Sequence, residues 1–305
     1  MASLYDIVII GGGGAGLTAA IYASRANLKT LLLERLTPGG QIALTDIVEN
    51  YPGFPEGITG ADISMKMEEQ AKKYGTVVCY EEVVVLGKKS DYFEIKTLKE
   101  IYQGKAIIIA SGASFRMLGV PGEKELTGRG VSYCATCDGA FFKNKEIMVI
   151  GGGDSAIQEG LFLTRFASKV TVVHRRDKLR AGPLLQERAK SNPKINFIWD
   201  AVITAIEGSG KVERVKIKNV KTGTESDSKV DGVFIFIGHN PVTKFVEGFI
   251  ELNDHGYIKT NSECETSRKG VFAAGEAREG AVRQLVAACG EGCAAALRAQ
   301  AFLEE

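Results

Sequence analysis

Ile7-Val-Ile-Ile-Gly-Gly-Gly-Gly-Ala-Gly16 is an apolar run that ends in a glycine-rich turn near the start of the chain. Gly11, Gly13 and Gly16 have the G-x-G-x-x-G spacing that joins a strand to a helix in dinucleotide-binding βαβ units. The first glycine permits the tight turn, the second lets the backbone approach a pyrophosphate, and the third lets helix and strand pack closely. The following helix N-terminus supplies N–H donors and a positive dipole end for the phosphates.

The same pattern occurs a second time, at Ile147-Met-Val-Ile-Gly-Gly-Gly-Asp-Ser-Ala156. The offset of 140 residues holds to the next predicted strand, where Leu31–Glu34 aligns with Thr171–His174. A single fingerprint is a weak signal, since a glycine turn can also bind nothing. Two copies in register favour an α/β protein with two Rossmann-like dinucleotide-binding domains. The predicted nucleotide contacts of the second copy are Gly151, Gly153, Asp154, Ser155 and Ala156.

The two copies differ where nucleotide specificity is set. Glu34 follows the second strand of the first copy, where a carboxylate suits the free ribose hydroxyls of an adenosine. The second copy has His174-Arg175-Arg176 there, followed by Arg180. A cationic cluster suits a 2′-phosphate and predicts NADP rather than NAD. A solvated basic turn is the alternative, and the replacement of the acid by bases at the same place argues against it.

Glycines that follow buried strands predict where the domains divide. One predicted strand leads to Gly112 and another to Gly238, and such glycines often mark a change of direction. We therefore expect a discontinuous first domain, residues 1–113 plus 241–305, with residues 114–240 inserted as the second. Each would be a three-layer ββα domain, and the C-terminal strand and Ala-rich helix would complete the first sheet.

Cys134-Ala-Thr-Cys137 lies between the two fingerprints. Two thiols at this spacing can form a readily exchanged disulphide, although zinc sites and inert buried pairs have the same pattern. The chain has three histidines and no second C-x-x-C, too few ligands for zinc, so no metal site is predicted. A dithiol beside two dinucleotide sites indicates electron transfer from a nucleotide to a disulphide.

Composition excludes several classes of protein. The 305 residues carry 38 basic and 37 acidic side chains, and this balance does not favour nucleic acid or an anionic membrane as a partner. No run approaches the roughly 18 apolar residues of a membrane span. The N-terminus lacks the features of a signal peptide, and six cysteines are few for a disulphide-stapled secreted protein, so a cytoplasmic location is expected.

Together these motifs resemble the low-molecular-weight thioredoxin reductases of bacteria and archaea, over the whole chain. Besides the two fingerprints and Cys134-Ala-Thr-Cys-Asp138, the resemblance is carried by Thr37-Pro-Gly-Gly-Gln41, Glu49-Asn50-Tyr-Pro52, His174-Arg-Arg-Asp-Lys-Leu-Arg180 and Gly270-Val-Phe-Ala-Ala-Gly-Glu276. It implies FAD in the first copy, NADPH in the second, a homodimer, and thioredoxin as the partner.

The resemblance also assigns residues to each cofactor. For NADPH these are His174, Arg175, Arg176 and Arg180, in addition to the second fingerprint. Glu276 stands where the family usually has Asp, at a residue that contacts the flavin ribityl chain. The implied FAD contacts, in addition to Gly11, Gly13 and Gly16, are Glu34, Arg35, Gly39, Gly40, Gln41, Asn50, Ala110, Gly112, Gly275, Glu276, Arg283 and Gln284.

The family mechanism implies a role for each catalytic residue. Cys137 would face the flavin, Cys134 would attack the thioredoxin disulphide, and Asp138 would shuttle protons. The dithiol and the nicotinamide site share the inserted domain, yet both must reach one flavin. The inserted domain is therefore expected to rotate between two poses.

Other functions on this scaffold stay open as alternatives. A ferredoxin-type NADP reductase needs no C-x-x-C pair, and an FAD dithiol oxidase needs no cationic cluster. A flavin-binding module without catalysis would need neither. The partner could also be another thioredoxin-like or a glutaredoxin-like protein, since partner surfaces leave no short motif.

Overall fold

The computed structural model describes residues 3–45 and 47–305. Met1 and Ala2, which open the predicted first domain, and Asp46 lie outside the described residues. The strands, in chain order, are β1 (Leu4–Ile10), β2 (Thr30–Glu34), β3 (Val77–Tyr80), β4 (Val83–Lys88), β5 (Phe93–Thr97), β6 (Ile101–Ile109), β7 (Ala113–Phe115), β8 (Val131–Ser132), β9 (Glu146–Ile150), β10 (Lys169–Val173), β11 (Ile195–Ile198), β12 (Ala201–Glu207), β13 (Arg214–Asn219), β14 (Glu225–Lys229), β15 (Gly232–Ile235), β16 (His239–Pro241) and β17 (Val271–Ala273).

Helices connect the parallel strands. The α-helices are α1 (Gly14–Arg25), α2 (Gly60–Lys73), α3 (Ala135–Asp138), α4 (Asp154–Leu163), α5 (Pro183–Ser191) and α6 (Leu285–Glu304). Short 3₁₀ turns are formed by Gly40–Leu44, Gly139–Phe142, Lys244–Val246 and Gly275–Ala277. None of the helices in the described ranges is long and apolar enough to cross a membrane.

The chain divides into two compact units. The first unit is Met1–Ser114 with Asn240–Glu305, and the second, Phe115–His239, is inserted within it. Each unit contains a parallel sheet with helical crossovers. The predicted fold class, an α/β protein with two Rossmann-like domains and one inserted in the other, is confirmed. The connecting segments β7 and β16 pair as a two-stranded sheet.

The sheet of the first unit brings the ends of three strands together. Its strand order is β3-β2-β1-β6-β5-β4, and β17 pairs with the C-terminal half of β6. β1, β6 and β17 are parallel, with Ile10 and Ala273 both beside Ile109. The residues that follow these strands therefore lie at one edge of the sheet. The pairing of β17 confirms that the C-terminal segment completes the first sheet.

Alternating side chains of β1 build two cores. Ile7 and Ile9 pack with α1 and α6 on one face, and Val8 and Ile10 pack with the antiparallel strands β4 and β5 on the other. The helices approach so closely that a Cβ at Gly292 of α6 would overlap the carbonyl oxygen of Ala15. A residue larger than glycine would force α6 away from the helix that carries the first fingerprint.

The second unit has the same layered construction. Its parallel sheet has the order β11-β10-β9-β15-β8, and β12, β13 and β14 form a separate antiparallel sheet. Ile147 and Val149 of β9 face α4 and α5, whereas Met148 and Ile150 face the antiparallel sheet. Side chains of a strand alternate between faces, so one apolar strand serves both layers. The three-layer ββα arrangement that the sequence predicts is present here.

Candidate active site

The first glycine turn is fixed by backbone contacts that exclude side chains. Gly11 follows β1 with φ of +106°, and a Cβ there would overlap the carbonyl oxygen of Ala110. A Cβ at Gly16 would likewise overlap the carbonyl oxygen of Gly11. At Gly13 the nearest atom to a built Cβ is 4.0 Å away, so this backbone is open on one side. The turn has the close packing and the exposed backbone that a pyrophosphate requires.

The Glu34 side chain accepts two backbone hydrogen bonds that the sequence pattern does not predict. It is buried, its Oε2 accepts the N–H of Gly12 at 2.7 Å, and its Oε1 accepts the N–H of Leu36 at 3.0 Å. A carboxylate has about four acceptor positions, so both oxygens can still accept ribose hydroxyls. Glu34 therefore supports the glycine turn as well as offering acceptors to a nucleotide. Arg35, the next predicted contact, is exposed.

Hydrogen bonds hold several of the other predicted FAD contacts of the first unit. Gly39 donates its N–H to the carbonyl oxygen of Gly12 at 2.6 Å, and Gly40 follows it with φ of +57°.

The Gln41 amide donates to the carbonyl oxygen of Ala113, just beyond Ala110 and Gly112 at the end of β6. The Asn50 amide donates to Oε1 of Gln284 at 3.0 Å, which joins residues 234 positions apart.

The buried Glu276 carboxyl group lies at the same edge of the sheet. It follows β17 directly after Gly275, which has φ of +72°. Its Oε2 is buried and has no hydrogen-bond partner among the described residues. Burial raises the pKa of Glu276, and Arg283 partly opposes that rise. A buried orphan oxygen costs stability unless something else pairs with it, and the hydroxyls of a bound cofactor are suited to do so.

The second glycine turn repeats the construction of the first. Gly151 has φ of +146°, and a Cβ there would overlap the carbonyl oxygen of Phe236. Ala156 is wholly buried in α4, in the position of Gly16, while Asp154 and Ser155 are exposed at the start of α4. The carbonyl oxygen of Gly152 accepts the N–H of Arg180 at 2.7 Å. This bond joins the glycine turn to residues 174–180, the basic segment.

The predicted cationic cluster surrounds a buried histidine. His174 follows β10 and is 6% exposed, and its Nε2 has no hydrogen-bond partner among the described residues. Burial, together with Arg180 and Arg176, lowers the pKa of His174, so its ring is neutral at pH 7. None of Arg175, Arg176 and Arg180 makes an ion pair with a carboxylate in the described part of the chain. Three guanidinium groups without an ion pair in one segment are suited to bind an anion.

Cys134 and Cys137 are joined as a disulphide, with their Cα atoms 5.4 Å apart. Both are half-buried, as is Asp138. The N–H of Cys137 donates to Sγ of Cys134 at 3.2 Å, and Ser132 accepts the N–H of Cys134 at 3.1 Å. The pair is therefore held by its own backbone. Among the residues that the structure describes, no group of three or more His, Cys, Asp or Glu side chains could hold a metal ion.

The disulphide and the second glycine turn lie at one edge of one sheet. Cys134 follows β8 and Gly151 follows β9, and both strands pair in parallel with β15 between them. Two strand spacings amount to about 10 Å. Ligands of open α/β sheets bind at the carboxyl ends of the strands, and the disulphide and the predicted nucleotide-binding turn share this edge.

A family model described as pyridine nucleotide-disulphide oxidoreductase matches residues 5–292. The chain belongs to this family. It is 54% identical to the thioredoxin reductase of Bacillus subtilis (strain 168), over 99% of this chain and 96% of that protein. The crystal structure of thioredoxin reductase from Streptococcus pyogenes MGAS5005 matches with a TM-score of 0.95 and 46% identity, over 100% of this chain and 99% of that one.

A further solved relative is similarly identical in sequence to this chain but has a lower TM-score. The Lactococcus lactis thioredoxin reductase, described as the FR conformation, is 48% identical over 98% of this chain and 99% of that one, with a TM-score of 0.68. These findings confirm the resemblance and the enzyme class. Pyridine nucleotide-disulphide oxidoreductases of the thioredoxin reductase type use FAD and NADPH, as the resemblance implies.

The residues present fit both cofactors. Each glycine turn excludes side chains at the close contacts. Among the described residues, the buried polar side-chain atoms without a hydrogen-bond partner are Glu276 Oε2 in the first unit and His174 Nε2 in the second. The second unit adds three guanidinium groups, which suit a 2′-phosphate.

Sequence reasoning missed two groups beside this oxidoreductase site. Lys221 bridges Asp177 and Asp200 at the basic segment. Glu123 is fully buried next to the disulphide segment and accepts a hydrogen bond from the Tyr133 hydroxyl at 2.8 Å. Each is a charged residue in a polar loop, and no spacing rule identifies it. For Glu123, the only hint in the sequence is that Tyr133, a possible hydrogen-bond donor, lies ten residues away.

Proposed function

We propose that this chain is an NADPH-dependent thioredoxin-disulphide reductase, with FAD on the first unit and NADPH on the second. The observation that carries the proposal is the shared sheet edge, where the Cys134–Cys137 disulphide and the Gly151 turn flank β15. Bound FAD supplies two-electron transfer between the nicotinamide and the disulphide. The predicted contacts of the two fingerprints, the Gln41, Asn50 and Gln284 amides and the Glu276 carboxyl hold the cofactors.

The cysteines complete the transfer. Two electrons and one proton convert the disulphide into one thiolate and one thiol. The Cys134 thiolate attacks the thioredoxin disulphide, which forms a mixed disulphide and releases one thioredoxin thiolate. The Cys137 thiolate then attacks Sγ of Cys134, restores the internal disulphide and releases the second thioredoxin sulphur. Asp138 holds the proton that Cys137 gains and gives up.

Rotation of the inserted unit is part of the proposal. The dithiol and the nicotinamide site share the second unit, so they must approach the flavin in turn. Two solved relatives support this, since their identities of 46% and 48% are nearly equal while their TM-scores are 0.95 and 0.68. A change in the arrangement of two units produces such a difference. We further propose that the enzyme is a cytoplasmic homodimer.

The test is NADPH-dependent reduction of a disulphide-reporter dye through added thioredoxin. The wild type is expected to require both NADPH and thioredoxin, and Cys134→Ser is expected to lose turnover. NADPH should still bleach the flavin of Cys134→Ser, which shows that the variant is folded and loaded. If NADPH bleaches the wild-type flavin but thioredoxin stays oxidised, another disulphide protein is the partner. Consumption of dioxygen without NADPH would instead favour the dithiol oxidase.

A further inference from the structure

A cavity of about 320 Å³ lies beside the basic segment of the second unit. Its charged lining is mostly cationic: Arg175, Arg176, Lys178, Arg180 and Lys221. Two carboxylates, Asp177 and Asp200, also line it. A phosphate group that enters this cavity meets attraction from the cations and repulsion from the two acids.

Lys221 pairs with both acids at once. Its Nζ lies 3.3 Å from Oδ2 of Asp177 and 3.0 Å from Oδ2 of Asp200. Lys221 lies in the turn between β13 and β14, outside the basic segment. The pairing raises the pKa of Lys221, mainly through Asp200, and the Lys221 hydrogen bond lowers the pKa of Asp177. Lys221 and Asp177 are therefore charged at neutral pH.

The backbone holds this turn against the basic segment. Val220 donates its N–H to the carbonyl oxygen of Asp200 at 2.6 Å, and Asp200 donates its N–H to that of Arg176 at 3.3 Å. Asp200 has φ of +52° and its side chain is 16% exposed, so its carboxylate has a restricted position. The acid thus stays beside the arginines whether or not Lys221 is present.

Apart from Lys221, the cations that line the cavity with these acids are three arginines and Lys178. Arg175, Arg176 and Arg180 line the same cavity, and none of them pairs with a carboxylate within the described residues. Without Lys221, Asp177 and Asp200 would lose their ion-pair partner in a cavity that these guanidinium groups also line. The two carboxylates would then compete with a bound phosphate for the same donors.

We propose that Lys221 is a specificity-determining residue for the 2′-phosphate of NADPH, because it occupies Asp177 and Asp200 and leaves the three arginines available. The inference rests on the proposed function, which assigns NADPH to this unit. Lys221 acts through the acids, so it is a positioning residue. Its removal weakens binding of 2′-phosphorylated nucleotides and leaves binding of the unphosphorylated nucleotide unchanged.

The experiment uses the full-length, FAD-loaded protein and isothermal titration with adenosine 2′,5′-bisphosphate and with 5′-AMP. Lys221→Met is expected to weaken bisphosphate binding by about three- to tenfold, the size of a single exposed charge effect at short range. Binding of 5′-AMP should not change. Lys218→Met is the matched control, since Lys218 lies on β13 and pairs with Glu225, away from the cavity lining. It removes the same charge from the same unit.

A rescue variant separates the proposed role from a structural one. Lys221→Met combined with Asp177→Asn and Asp200→Asn should recover the wild-type preference for the bisphosphate, because the competing acids are gone. Equal losses in Lys221→Met and Lys218→Met, an unchanged Lys221→Met, or a failure of rescue would each overturn the inference. If the wild type itself binds the bisphosphate no better than 5′-AMP, the assignment of NADPH to this unit fails instead.

Discussion

The imidazole ring of His174 lies directly against the backbone of Gly152, with no room for a side chain between them. A Cβ on Gly152 would lie 2.6 Å from Cγ of His174 and would overlap Nδ1 and Cε1. His174 is itself buried, so the ring cannot swing away freely. The contact fixes the end of β10 to the turn after β9, and it places the basic segment relative to the second fingerprint.

Gly152→Ala is expected to displace His174 and to destabilise the protein by about 1–3 kcal/mol, the usual cost of overpacking a closed contact. Binding of adenosine 2′,5′-bisphosphate should weaken as well, because the basic segment moves with the ring. Denaturant unfolding and titration measure the two effects. Gly153→Ala is the control for stability, since its Cβ would lie 3.7 Å from the Arg180 side chain and meet nothing nearer. Equal stability of the two variants would contradict the role of this contact.

Glu276→Gln is expected to stabilise the flavin-free protein increasingly as the pH rises. Burial raises the pKa of Glu276 above its ordinary value of 4.5, so the folded state binds the proton more tightly than the unfolded chain. The stabilisation from this proton is complete below pH 4.5 and is lost as the pH rises through the higher folded value. At pH 7 the wild type therefore carries the cost of a buried carboxylate, and the variant should be more stable by about 1 kcal/mol.

Thermal unfolding of the flavin-free proteins at pH 4, 6 and 8 measures this difference. Glu56→Gln makes the same change at an exposed position and should show no such trend. A stability gain of Glu276→Gln that is constant across this range would show that ionisation of Glu276 is not the cause.

Tyr133→Phe is expected to cost about 1–2 kcal/mol of unfolding free energy. The Tyr133 hydroxyl and the N–H groups of Leu118 and Gly119 all donate to the buried Glu123 carboxylate. The phenylalanine keeps the ring stacking with Phe115, at 4.8 Å between centroids, and removes only the hydroxyl.

Urea unfolding measures the loss of stability in Tyr133→Phe. Tyr92→Phe is the control, since no hydrogen bond of the Tyr92 hydroxyl occurs in the described structure. Equal stability of Tyr133→Phe and wild type would exclude the hydroxyl from this network.

Cys137→Ser is expected to accumulate a covalent complex with oxidised thioredoxin, and Cys134→Ser is not. The N–H of Cys137 points at Sγ of Cys134 at 3.2 Å, and a donor in this position favours negative charge on Cys134 after reduction. Serine at residue 137 keeps that backbone donor but cannot resolve the mixed disulphide. Non-reducing electrophoresis and intact mass, with and without added thiol, detect the adduct. An adduct of Cys134→Ser alone would reverse the proposed roles of the two sulphurs.

Glycine turns and strand patterns were predictable because steric exclusion leaves few alternatives. Gly11 and Gly151 have positive φ beside a neighbouring backbone, and this requirement is visible in the spacing itself. The apolar runs before them became β1 and β9, and the Ala-rich C-terminal run became α6. Local geometry and burial act together in these elements, so the sequence pattern is informative.

Contacts between distant loops were not predictable in the same way. The fingerprint pattern predicts that Glu34 is a ribose acceptor but does not show that its carboxylate also accepts the Gly12 N–H. Asp200 and Lys221 meet only because Asp200 adopts a positive φ and the β13–β14 turn folds back onto it. Charges in polar loops usually face solvent, so a pattern cannot separate these pairs from ordinary surface residues.

The position of β17 and α6 has a consequence for synthesis of the protein on the ribosome. The inserted unit ends at residue 239, whereas the first unit needs β17 beside β6 and Gly292 against Ala15. Nascent chains fold domain by domain from the N-terminus. The insert is therefore expected to fold while its host still exposes the apolar edge of β6, and the host closes only when the last helix has emerged. Early termination within α6 would leave a folded insert attached to an aggregation-prone half-sheet.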